Sequence, residues 1–150
     1  MTSIYRASRL AFILLLPLLP SAVSAEAFPG AAAKAKCEAE WGNDYSMQAY
    51  CLSEQRKGFG QVLEMKSNLM PELIGAVEQC ERDWTDDFVM QAYCISEQIK
   101  AKKSLEQNWD GPPADVVSEI KRKCEADWLD DYVMQAYCTT EQVKAWRTLQ

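Results

Sequence analysis

The chain of 150 residues carries 22 acidic and 16 basic residues and no histidine. The net charge of −6 argues against binding to nucleic acid or to anionic membranes, where lysine and arginine supply most of the attraction. The lack of histidine excludes Ser–His and Cys–His nucleophiles and the usual histidine-containing zinc sites.

The first 25 residues have the features of a secretory leader. Arg6 and Arg9 form a basic start, an apolar run follows at 10–19, and small residues precede Ala25. We expect cleavage after Ala25, which would change the net charge from −6 to −8 because the leader carries two arginines and no acid. The apolar run is shorter than the roughly 20 residues needed to cross a bilayer, so an uncleaved anchor is the weaker alternative. We expect the mature chain to lack a transmembrane segment and to be periplasmic or secreted.

The motif MQAYC occurs three times, at 47–51, 90–94 and 134–138. Each copy belongs to a 21-residue segment that begins with a cysteine, and 12 of the 21 positions are identical in all three segments. The segments are 37–57, 80–100 and 124–144. Their starts lie 43 and 44 residues apart, and a period near 40 is typical of repeat arrays.

Each repeat is predicted to form two helices. A proline lies near the start of the first helix, where its fixed φ is tolerated; these are Pro29, Pro71 and Pro113. An apolar stripe at helical spacing then leads through the first cysteine to a tryptophan. Two residues later comes an acidic or amide pair that suits the start of a second helix. The pairs are Asn43–Asp44, Asp86–Asp87 and Asp130–Asp131. The second helices are predicted to end near Asn68, near Asn108 and at the C-terminus.

The sequence therefore predicts an all-α protein of about six helices, arranged as three tandem disulfide-stapled hairpins of the C-x13-C type. The hairpins are predicted at 26–68, 69–110 and 111–150, with 107–113 as a turn. Six cysteines in an exported chain indicate disulfides, and folding the two helices together brings the cysteines of one repeat close. The predicted bridges are Cys37–Cys51, Cys80–Cys94 and Cys124–Cys138. The plan resembles the twin-cysteine hairpins of the mitochondrial intermembrane space in architecture alone, since those have two bridges per hairpin and shorter cysteine spacings.

The second helix is predicted to present two apolar strips. The strip that contains the MQAYC methionine and cysteine faces its own hairpin, because the cysteine must reach its partner. The strip that begins at Tyr45, Phe88 and Tyr132 is then predicted to pack against a neighbouring repeat.

Two glutamines and a tyrosine of each second helix are candidate partner-binding residues. They are Gln48, Gln55, Gln91, Gln98, Gln135 and Gln142, with Tyr50, Tyr93 and Tyr137. One interpretation is structural: the amides bond to nearby backbone and fix the repeat register. The other is functional: the amides line a groove that accepts an extended peptide, and the tyrosines serve as contact points.

Metal and catalytic interpretations have less support. The acidic corners include the cluster Asp83, Asp86 and Asp87, whose oxygens suit Ca²⁺, but the spacing matches no EF-hand loop. Soft sulfur ligands suit Cu(I), but oxidised cysteines are poor ligands and no Cys-x-x-Cys pair is present. Three exposed Glu–Lys pairs look like ordinary helix supports. No cofactor is predicted.

The leading functional hypothesis is an exported, non-enzymatic repeat protein that binds a protein or peptide. The alternatives are a structural or envelope accessory protein without a specific ligand, and a copper- or calcium-binding protein. No partner identity or oligomeric state follows from the sequence.

Overall fold

The computed structural model describes residues 27–150. The predicted leader and its cleavage site lie outside these residues. The described part of the chain is all-helical, with a short 3₁₀ turn at Pro71–Leu73. The helices are α1 (Gly30–Trp41), α2 (Tyr45–Ser67), α3 (Ile74–Asp83), α4 (Phe88–Leu105), α5 (Ala114–Asp127) and α6 (Tyr132–Thr148). The prediction of six helices in three hairpins is confirmed.

An aspartate caps each second helix, as the acidic corners predicted. The side chain of Asp44 accepts a hydrogen bond from the backbone N–H of Met47 at 3.1 Å. Asp87 accepts the same bond from the backbone N–H of Met90 at 3.2 Å, and Asp131 accepts it from that of Met134 at 3.1 Å. Each bond satisfies one of the unpaired N–H groups at a helix start, so the turn of every hairpin is fixed in the same way.

A disulfide joins the two helices of each hairpin, and all three predicted pairings are confirmed. The bridges are Cys37–Cys51, Cys80–Cys94 and Cys124–Cys138, with Cα–Cα distances of 5.8, 5.7 and 5.7 Å. The first cysteine of each pair is almost fully buried. Structural disulfides of this kind persist in an oxidising environment outside the cytosol.

The second helices form the central layer, since α2 packs on α4 and α4 packs on α6. Each first helix packs on the second helix of its own hairpin. Gln55, ten residues into α2, meets the first residue of α4, and Gln98, ten residues into α4, meets the first residue of α6. Each second helix is therefore shifted by roughly 15 Å along its axis relative to the one before it.

The apolar core lies mainly between hairpins one and two. Phe59 and Phe88 pack edge to face with a centroid distance of 5.3 Å, beside buried Ala33. Further along the same interface, Val62 of α2 contacts a cluster that includes Ile95 of α4. The strip that begins at Phe88 thus packs against a neighbouring hairpin, as predicted for this repeat.

One expectation about an aromatic residue was wrong. Tyr45 begins the predicted inter-repeat strip but is 75% exposed, because no other described hairpin packs on the first corner. The tryptophans at the ends of the apolar stripes, Trp41, Trp84 and Trp128, are 37–42% exposed. They lie at, or one residue beyond, the end of the first helix.

Across residues 27–150, every helix is too short or too polar to cross a membrane.

Candidate interaction surface

The upper glutamine of each repeat bonds to the corner of its own hairpin. Gln48 donates to the carbonyl of Gly42. Gln91 donates to the carbonyl of Trp84 at 3.0 Å, and Gln135 donates to that of Trp128 at 3.2 Å. Gln91 and Gln135 are buried. These three amides therefore use their N–H groups to close the turn between the two helices.

The lower glutamine bonds to the next hairpin. Gln55 is 4% exposed; its amide N–H donates to Asp87 Oδ1 at 3.0 Å, and its carbonyl oxygen accepts from the backbone N–H of Phe88 at 2.6 Å. One side chain thus binds both the cap and the first N–H of the following helix. We call this arrangement the glutamine joint.

A second glutamine joint links hairpins two and three. Gln98 donates to Asp131 Oδ1 at 3.2 Å and accepts from the backbone N–H of Tyr132 at 2.8 Å. The same geometry at both interfaces fixes one register between consecutive hairpins. The structural interpretation of the glutamines therefore has direct hydrogen-bond support at five of the six positions.

The first glutamine joint includes an ion pair. Lys36 of α1 lies 3.2 Å from Asp87 and 3.1 Å from Glu40. Burial alone would raise the pKa of Asp87, but hydrogen bonds from Gln55, the Met90 N–H and Lys36 outweigh it and hold this pKa below its usual value. Burial likewise opposes the charge of Lys36, yet its two carboxylate partners raise the Lys36 pKa. The joint is therefore built around an ionised aspartate.

The sixth glutamine, Gln142, is exposed. It occupies the position of Gln55 and Gln98 in the third hairpin, but it lies in an open groove of about 580 Å³ along α5 and α6 instead of meeting a following corner. Ile120 and Trp146 also line this groove.

The three candidate tyrosines form the most regular exposed feature of the described chain. Tyr50, Tyr93 and Tyr137 are 60, 60 and 61% exposed. Because they occupy one position on three staggered, packed helices, they recur at the spacing of the repeat. They present three aromatic rings of nearly identical exposure.

A Glu–Lys ion pair accompanies each tyrosine on the helix surface. The pairs are Glu54–Lys57 at 2.5 Å, Glu97–Lys100 at 2.7 Å and Glu141–Lys144 at 2.5 Å. The hydrogen bond with the glutamate raises the pKa of each lysine. Each tyrosine therefore has a charge-balanced neighbourhood, and exposed pairs of this kind add little to stability.

Trp41, Trp84 and Trp128 are partly exposed and were not among the predicted contact residues. Their position immediately before the corner, at the end of the first helix, is the sequence signal that could have indicated partial exposure. Helix ends expose side chains that a continuous stripe would bury.

The acidic corners serve as caps and joints. Asp87 and Asp131 accept hydrogen bonds from backbone and glutamine N–H groups, and Asp83 accepts one from Gln79 at 2.6 Å. Across residues 27–150, no three acidic or cysteine side chains are grouped in a way that would hold a metal ion.

Comparison of the chain with protein-family models, with curated proteins and with solved structures found no match.

Proposed function

We propose that the chain is an exported, non-enzymatic helical-hairpin repeat protein that binds a protein or peptide partner. The leader pattern and three structural disulfides support export to the periplasm or secretion, with cleavage after Ala25. Mass measurement of the exported chain should place its first residue at Glu26.

The observation that carries the binding proposal is the row of Tyr50, Tyr93 and Tyr137. Tyrosine is enriched at the residues that dominate binding energy, and it offers a large rigid surface at a low cost in side-chain entropy. Three copies with the same exposure, each beside a Glu–Lys pair, favour a partner that repeats or extends along the array.

The five internally bonded glutamines support the row of tyrosines as the contact surface. Their side chains hold corners and joints, so an incoming peptide would have to break existing hydrogen bonds to use them. The proposed roles are thus separate: glutamines set the spacing of the hairpins, and tyrosines contact the partner.

The test is a crosslinking capture from the native compartment, followed by titration of the recovered partner with purified protein. Truncation to alanine of Tyr50, then of Tyr50 and Tyr93, then of all three, should weaken binding stepwise, by about fivefold to thirtyfold per tyrosine. Leu129→Ala is the matched control, because Leu129 is also largely exposed but belongs to a corner.

Three results would contradict the proposal. They are the lack of any saturable partner, equal binding by the triple variant and the wild type, and an equal loss with the control. The first result would favour a structural accessory protein without a specific ligand. Elemental analysis of the oxidised protein separately tests the metal-binding alternative.

A further inference from the structure

The two ends of the hairpin array carry the two halves of one glutamine joint. At one end, the first corner, Asn43–Tyr45, is exposed, whereas Phe88 at the position of Tyr45 is 8% exposed. At the other end, the groove along α5 and α6 contains Gln142. Among residues 27–150, no hairpin covers either feature. We propose that the first corner of one copy of the chain binds this groove in a second copy, which joins copies head to tail.

The donors that hold Asp87 recur in the groove. Lys36 and Gln55 bind the Asp87 carboxylate at 3.2 and 3.0 Å. Lys36 precedes the first cysteine of its repeat and Gln55 lies four residues after the second. Lys123 and Gln142 occupy those two positions in the third hairpin, and both line the groove. The groove thus offers a cation and an amide without a corner between them.

The first corner has the form that these donors require. Asp44 accepts a hydrogen bond from the Met47 N–H at 3.1 Å, as Asp87 does from the Met90 N–H at 3.2 Å. Its carboxylate is therefore oriented as a helix cap in the same way. Docked in the groove, Asp44 would accept from Gln142, and the backbone N–H of the next residue would donate to the Gln142 carbonyl oxygen.

An aromatic contact accompanies the joint. Phe59 packs on Phe88 in the first joint at a centroid distance of 5.3 Å. In the second joint Lys102 occupies the position of Phe59, and its ammonium lies 5.6 Å from the centroid of the Tyr132 ring. The groove has Trp146 at this position, so Tyr45 of a second copy would lie against an indole. Aromatic pairs of this kind contribute more than their buried area alone.

Charge favours the first corner over the other two. In the second joint the carboxylate of Asp130 lies very close to Gly75. A Cβ added to this glycine would be 2.5 Å from the carboxyl carbon of Asp130. The groove has Glu119 in place of this glycine. Its Cβ requires a small shift of the incoming corner, and its carboxylate, 4.0 Å from Arg122, would repel an aspartate at that point more than an asparagine. The first corner has Asn43 where the others have aspartate. The groove therefore matches the one corner whose first residue is uncharged.

The contact is heterologous, because the corner and the groove are different surfaces. Such contacts build open chains or rings, and here each added copy would continue the stacking of hairpins within one chain. This inference is independent of partner binding through the tyrosines, which lie on another face of the second helices.

The test uses two variants that each block one half of the contact. Tyr45→Glu blocks the corner, and Gln142→Glu places a carboxylate against the incoming Asp44. Both residues are exposed, so circular dichroism and thermal unfolding should match the wild type. Leu129→Glu is the control, since Leu129 is 74% exposed but belongs neither to the first corner nor to the residues that line the groove.

Sedimentation velocity is measured on the oxidised chain from micromolar to millimolar concentration. The wild type and the control should gain mass with concentration, and each blocked variant should associate about tenfold or more weakly. An equimolar mixture of the two blocked variants should form one-to-one dimers and nothing larger, because one intact corner and one intact groove remain. A wild type that is monomeric at millimolar concentration, blocked variants that associate like the wild type, or a mixture without dimers would overturn the proposal.

Discussion

Replacement of Gln55 by leucine should destabilise the folded chain far more than the same replacement at Gln142. Gln55→Leu removes a bond to a charged carboxylate, worth roughly 1.5–3 kcal/mol, and one to a backbone N–H, worth roughly 0.5–1.5 kcal/mol. Leucine keeps the side-chain volume and recovers part of this as apolar burial, and Asp87 keeps its bonds to the Met90 N–H and Lys36. We expect a net loss of about 2–4 kcal/mol in the free energy of unfolding.

The assays are urea unfolding and thermal unfolding, both followed by circular dichroism at concentrations where sedimentation shows monomers. A loss of this size lowers the midpoint temperature by roughly 10 °C in a chain of this length. Gln142→Leu is the control, because the exposed side chain meets no corner, and we expect a change within about 0.5 kcal/mol. Gln98→Leu should lie between the two, since Gln98 makes the same bonds but is only partly buried. Equal losses of stability at Gln55 and Gln142 would refute the claim that the glutamine joint stabilises the fold.

Three further predictions concern stability. Gly58→Ala should destabilise by about 1–3 kcal/mol, since its Cβ would lie 2.6 Å from backbone atoms at the start of α4; Gly60→Ala, with open space around it, should stabilise by about 0.5–1 kcal/mol. Folding lowers the pKa of Asp87 from 3.8, so its contribution is complete above that pH and is lost as the pH falls through the folded-state pKa. The stability gap between the wild type and Asp87→Asn should therefore be largest at neutral pH and shrink below about pH 4; a gap that grows in acid would contradict this. Replacing Cys80 and Cys94 together by serine should lower the free energy of unfolding by about 3 kcal/mol in the same assay. An unchanged midpoint would contradict a stabilising role for this disulfide.

The hairpins were predictable because their determinants are local and repeated. Prolines mark the starts of the first helices, aspartates cap the second helices, and the C-x13-C spacing places the cysteines about one and a half turns before the corner and about two turns after it. Three copies of one pattern made each of these signals stronger. The disulfide pairing followed from the same hairpin geometry.

The joint between hairpins was not predictable in detail. The sequence showed that every repeat has a glutamine at the position of Gln55 and Gln98. These two glutamines bond to aspartates 32 and 33 positions away, and such contacts depend on the shift between neighbouring helices. That shift is set by contacts such as the close approach of Gly58 to the start of α4. A helical wheel describes one helix and contains no information on where the next one begins.

The exposed tryptophans illustrate the same difficulty. Trp84 continues an apolar stripe at helical spacing, yet the helix stops at Asp83 and Trp84 is 39% exposed. Trp41 lies inside its helix and is still 37% exposed, so neither the apolar stripe nor the helix end fixes the exposure of these side chains.

The central claim is that each hairpin is closed by its own disulfide and that no bridge connects different hairpins. Non-reducing digestion of the native protein, followed by mass spectrometry of the cross-linked peptides, tests it most directly. We predict three cross-linked species, Cys37 with Cys51, Cys80 with Cys94, and Cys124 with Cys138. A peptide that joins Cys51 to Cys80, or six thiols that react freely with an alkylating reagent, would contradict the account.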